Sequence, residues 1–181
     1  MSRIQPIDPT TATGTVATQL EGTRRAMGGT PNMFLTAAQS PAALTALNGL
    51  FGALATSSLG GKIGERIAIT VAQQNGCEYC LSAHTAIGTM HGIDASELSA
   101  ARRGVSADPK AAAAMLFATA ILNTRGRVDN ATLATARLAG LSEGELVDVV
   151  ALVALNVFTN YLNNVAQTDV DFPRVELAAA A

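Results

Sequence analysis

The sequence predicts an all-α protein, a single-domain compact bundle of seven or eight helices. Three observations carry that prediction. Ala, Leu, Val and Ile dominate a hydrophobic content of 49%, with aromatics at 4% and no Trp, a composition that favours helix. Apolar and polar residues nowhere alternate over the length of a strand, and no Asn-Gly or Asp-Gly turn joins two β-type runs. Helix caps and stops recur along the chain at helix-length intervals. The 181 residues fit one domain spanning 1–181, long enough to bury roughly 70% of the unfolded surface.

Residues 1–11 hold two of the six prolines and read as an extended N-terminal arm. A first helix is expected over Thr13 to Met27, stopped by Gly28-Gly29, and Pro31 to Gln39 reads as a connector or a single turn. Ser40-Pro41 places an N-cap before a proline at the first helical position. The helix it opens carries Leu44, Leu47, Leu50, Phe51 and Leu54 to about Ser57, with Gly60-Gly61 closing it. Lys62 to Asn75 is the next helix, with Gly76 as its stop, and the run Cys77 to His91 follows. Asp94-Ala-Ser-Glu97 reads as a capping box for a short helix to Arg103. Asp108-Pro109 opens an Ala-rich helix to about Arg125, and Asp129 caps another to Ala139. Ser142-Glu-Gly-Glu145 is a second capping box, opening the last helix through about Gln167. A catalytic core is expected over about 40–167, with Asp171-Phe-Pro and an Ala-rich end as the tail.

Charged residues make up 14% and the net charge is −2, which gives no basic patch of the kind nucleic acid requires. No apolar targeting region opens the chain. The runs Ala111–Leu122 and Val149–Leu155 fall short of the ~18 residues of a membrane span, so no membrane partner and a cytoplasmic location are expected. A mean hydropathy of +0.28 is high for a monomer and points to helix surface covered by another subunit.

The two cysteines, Cys77 and Cys80, stand three residues apart at the start of a helix, a spacing that chance rarely gives. In a reducing compartment such a pair is redox-active or metal-binding more often than a structural staple. At ~100° per residue, Cys77, Cys80, His84, Ile87 and His91 share one stripe. A thiolate is the nucleophile, and the helix N-terminus lowers the pKa of a thiol placed there. That logic favours Cys77 as the attacking sulfur, whereas His84, one turn past Cys80, favours Cys80. A leaving oxygen needs a proton and only Cys80 has an imidazole beside it, so attack is assigned to Cys80 and resolution to Cys77. Glu65 lies one helix earlier, where an antiparallel turn at Gly76 lays it near His84. Zinc is the competing use of Cys77, Cys80 and His84. His91, about 16 Å farther along the helix than Cys80, is too distant to be a fourth ligand and reads as a favourable cation at a helix end.

Glu65, twelve residues later Cys77-x-x-Cys80, then His84 resembles the motif of the alkylhydroperoxidase D-like group within the carboxymuconolactone decarboxylase superfamily. The string A-Q-Q-N-G-C-E-Y-C-L-S-A-H-T is similar to its peroxidase-related members, and an Asn-rich last helix (Asn156, Asn160, Asn163) ending in Asp-Phe-Pro is a looser likeness. The resemblance implies an all-helical fold assembling as a homo-oligomer, a trimer or hexamer. It implies a cysteine peroxidase that reduces organic hydroperoxides, a small-molecule substrate, with a glutamate–histidine proton relay through Glu65 and His84 and no cofactor or metal. Electrons come from a thiol or lipoyl-type reductant protein. One position departs from the pattern: some members carry a histidine just before the second cysteine, and here it is Tyr79. A thiol–disulfide reductase, or a redox- or metal-binding module using the same pair, is the alternative.

Overall fold

Helix α4, Gly60–Gln74, is the element the others pack around. Ile63, Ile67 and Val71 recur along it at helical spacing, and Ile67, Ile69 and Val71 are fully buried. In this computed structural model, which describes residues 2–178, α4 lies against α5 (Glu78–Met90), α7 (Pro109–Thr124) and α9 (Glu143–Ala166), with the short α6 (Ala95–Ala101) beside it. Helices α1 (Gly14–Met27), α2 (Asn32–Ala37) and α3 (Pro41–Leu54) form a second group that closes on α9, and α8 (Asn130–Leu138) packs on α7. The described residues are all-helical, without a strand, and share one core. Residue 1 of the arm and residues 179–181 of the Ala-rich end lie outside the described residues.

Local chemistry explains most boundaries. Ser40, Asp108, Asp129 and Ser142 each accept a backbone N–H from the first turn of the helix they cap. The Ser142–Glu145 capping box is complete on both sides, and Lys110 on α7 reaches the same Glu145 at 2.7 Å. The capping box expected at Asp94 takes another form. Asp94 makes no side-chain cap, because the Glu97 carboxylate that would complete the box accepts from Ser106 and Ala107 and pairs with Arg66. Those partners hold the Glu97 carboxyl below its ordinary range, Ser106 most of all.

Three boundaries differ from expectation. The connector after Pro31 contains a six-residue helix, α2, whose Met33, Phe34, Thr36 and Ala37 are all buried, so nine helices stand among the described residues. Helix α3 ends at Leu54, and Gly60-Gly61 opens α4 instead of closing α3. Helix α9 is 24 residues long and holds an 18-residue stretch of mean hydropathy 1.5, the length and composition of a membrane span, which the short apolar runs had not suggested. Its polar residues interrupt those runs yet turn inward: Asn156, Asn160 and Asn163 are buried, and the helix touches α2, α3, α4, α5 and α7.

The start of the described chain is pinned at the C-terminus of α9. The Arg3 amide donates to the Ala166 carbonyl and the Ile7 amide to Leu35. After α9 the tail crosses α5, where the Val175 amide donates to Ser82 Oγ and Arg174 pairs with Glu78.

Candidate active site

Three residues, Asn75, Gly76 and Cys77, separate α4 from α5, and they set the site. Gly76 takes a left-handed φ of 62°, which a side chain would disfavour, and the Cys77 amide then donates back to Ala72 across the helix end. Cys77 therefore leaves α4 as its closing residue and enters α5 as its N-cap. Its sulfur accepts the Cys80 amide at 3.2 Å. The two sulfurs are bonded to each other in the structure, with Cα atoms 5.3 Å apart. Cys77 is fully buried and Cys80 is 3% exposed.

The expected acid–imidazole pair is formed. Glu65 on α4 and His84 on α5 meet at 2.8 Å between Oε2 and Nδ1, each with a side chain about one-seventh exposed. Gly88 on α5 leaves room for α6: a Cβ there would lie 2.6 Å from Leu98 Cδ2, while Glu65 Cβ would stay at an ordinary 3.8 Å. With Nδ1 engaged, Nε2 is the ring nitrogen left for proton transfer. His84 stands between two openings. On one side it shares a narrow apolar crevice with Cys80, walled by Met33, Phe34, Phe51, Ile87 and Phe172. On the other, His84 and Glu65 face a cavity of about 320 Å³ that also reaches Ser57, His91 and Asn156. No hydrogen bond joins His84 to either sulfur in this disulfide form among the described residues; the ring and Cys80 meet through the crevice they share.

His91 is the C-cap of α5, exposed and remote from the sulfurs, as a helix-end residue should be. Among the described residues no three of His, Cys, Asp and Glu converge to hold a metal ion.

Tyr79 and Asn163 show what the sequence reading left open. The Tyr79 hydroxyl accepts the Met33 amide at 3.2 Å, and its ring meets Phe172 edge-on at 5.9 Å. Burial pushes its pKa well above the ordinary phenol range, so it cannot serve as the base that a histidine at this position supplies. It binds the start of α2 and the tail to the cysteine helix. Asn163, buried on α9, donates from Nδ2 to Cys80 Sγ at 3.2 Å. The signal available for it was a carboxamide placed at helical spacing on the inner side of an apolar helix, a group that must find a polar partner.

The carboxymuconolactone decarboxylase family model matches residues 41–123, a span that contains Glu65, both cysteines and His84. Through these residues the chain is similar to that family over somewhat less than half of its length. Its fold is that of the AhpD-like group. An AhpD-core, peroxidase-related protein from Ralstonia eutropha JMP134 superposes with a TM-score of 0.85 at 21% identity, over 94% of this chain and 92% of that one. A peroxidase-related protein from Silicibacter sp. TM1040 gives 0.78 at 20%, covering 92% of each chain. The debrominase Bmp8 in complex with 2,3,4-tribromopyrrole gives 0.79 at 22%, over 94% and 92%. No curated protein sequence matches the chain.

Proposed function

We propose that this AhpD-like protein is a thiol peroxidase that reduces organic hydroperoxides through the Cys77–Cys80 dithiol. The observation that carries the reading is the Glu65–His84 pair at 2.8 Å, opening with Cys80 onto one apolar crevice. In the reduced protein the Cys80 thiolate attacks the terminal oxygen of the hydroperoxide. The S–O bond forms as the O–O bond breaks, leaving a sulfenic acid on Cys80 and an alkoxide. His84, protonated at Nε2 and oriented by Glu65 at Nδ1, gives the alkoxide its proton, and the product alcohol departs. The Cys77 thiolate then attacks the Cys80 sulfur, and hydroxide leaves with a proton as water. The disulfide of the structure is the product of that step, and two electrons from a dithiol or lipoyl-type partner restore the thiols.

The crevice supports an uncharged, apolar substrate: no Lys or Arg lines it, and its walls apart from His84 are largely apolar. Burial of both sulfurs favours a small molecule over a bulky protein disulfide as the oxidant, which sets the thiol–disulfide reductase second. Exposed Val147, Val150, Tyr161 and Val165 along α9 support assembly with further copies of the chain. The test is to reduce the protein, add one equivalent of cumene hydroperoxide and count thiols. Both thiols should be lost without intermolecular crosslinks. Retention of both, or bromide release from a brominated pyrrole outpacing peroxide loss, would overturn the assignment.

A further inference from the structure

We propose that Asn163 is a catalytic residue whose side-chain amide holds Cys80 as the thiolate in the reduced protein. The proposal rests on Cys80 being the attacking sulfur, and its test reads the thiol directly, without peroxide.

The surroundings of Cys80 do not favour a charge by themselves. The residue is 3% exposed, and the crevice beside it is walled by apolar side chains, an environment that raises a thiol pKa. The helix N-terminus is already committed: the Cys80 amide, the N–H best placed to serve a sulfur, points to Cys77. The imidazole is held at Nδ1 by Glu65 and makes no hydrogen bond to either sulfur among the described residues. The remaining donor that reaches Cys80 Sγ among the described residues is Asn163 Nδ2, at 3.2 Å. A sulfur in a disulfide or a thiolate can only accept, so the amide NH₂ is the end of the carboxamide that must face it.

Asn163 is held there by its neighbours on α9. Asn160 Oδ1 accepts from Asn75 Nδ2 at 2.9 Å, and Asn164 Nδ2 donates to the Asn75 carbonyl at 2.9 Å. Asn75 is the residue before Gly76, so α9 is clamped to the turn that presents the cysteines. Asn163 is itself buried, and its Oδ1 has no hydrogen-bond partner among the described residues. The sulfur contact is the one polar bond its side chain makes there. A hydrogen bond to a charged acceptor is stronger than one to a neutral acceptor, so the contact gains strength when Cys80 is a thiolate. The amide therefore lowers the Cys80 pKa and favours the dithiol over the disulfide.

The experiment uses the full chain with Cys77→Ser, which leaves Cys80 as the single thiol, and measures the rate of iodoacetamide alkylation against pH. Adding Asn163→Ala should move the thiolate pKa up by about one unit. Asn163→Asp, which keeps the shape and replaces the donor with a carboxylate, should move it further. With Cys77 present, Asn163→Ala should shift the exchange equilibrium with dithiothreitol about tenfold toward the disulfide at a pH above both thiol pKa values. If the Ala variant does not fold, ¹⁵N spectra of the Asn side chains in the Cys77→Ser protein give the answer. One side-chain NH₂ pair should titrate with the thiolate. An unshifted pKa in both variants, or no Asn amide moving with the thiol, overturns the proposal.

Discussion

Glu65 and His84 meet because two helices run antiparallel from Gly76, and neither side chain has another hydrogen-bond partner among the described residues. Replacing the imidazole removes the proton donor for the alkoxide. His84→Ala should lower peroxide turnover by about 10²–10⁴-fold, the range of general acid–base catalysis. Glu65→Gln should cost less, since the ring remains, and should depress turnover more than it changes the Km for hydroperoxide. Steady-state kinetics with a dithiol reductant checks both. Equal turnover in His84→Ala and the parent would remove the imidazole from the mechanism. These residues were legible in the sequence because covalent spacing alone fixes them: i, i+3 and i+7 on one helix, with a glycine turn before it. Asn163 was not legible as a sulfur ligand. Its contact is 83 residues away along the chain, and only the packing of α9 decides which core polar atom it meets. Tyr79 was ambiguous for the same reason, since Met33 and Phe172 come to it from both ends of the chain.

Among the elements, α9 begins with a device whose contribution can be isolated. Ser142 accepts the Glu145 amide, Glu145 accepts the Ser142 amide, and Lys110 closes the group. Ser142→Ala should destabilise the fold by about 1 kcal/mol in urea unfolding, as N-cap removals do. The Glu145 carboxyl is held below the ordinary carboxylate range, chiefly by Lys110 and then by the Ser142 amide. A depressed acid stabilises the folded state fully above its unfolded pKa and loses that contribution as pH falls through the folded one. Unfolding free energy should therefore drop below about pH 4.5, and Lys110→Met should flatten that acid limb. An identical acid limb in both proteins would contradict the assignment. Caps of this kind were readable because they need only neighbours in sequence. The failed box at Asp94 shows the limit: Ser106, Ala107 and Arg66 compete for Glu97, and two of those three come from beyond the helix that Asp94 opens and one from α4.

The whole molecule keeps an apolar face turned outward. Val147, Val150, Tyr161 and Val165 follow one side of α9 at helical spacing and are 47–67% exposed. Val147→Lys together with Val165→Lys should lower the solution mass measured by light scattering toward that of a single chain, 18.5 kDa. An unchanged mass would contradict assembly through this face. The all-helical class was plain from composition and from the absence of alternation, which are properties of the chain as a whole. That α9 turns three asparagines inward and leaves four large apolar residues outward was not, because both sides contribute to the same mean hydropathy. The account as a whole depends on which sulfur meets the peroxide. Reduced Cys77→Ser protein given one equivalent of cumene hydroperoxide in the presence of dimedone should carry a dimedone adduct on Cys80, read by peptide mass spectrometry. Peroxide left unconsumed with Cys80 unmodified, or an adduct on Cys77 in a fully active Cys80→Ser protein, would contradict it.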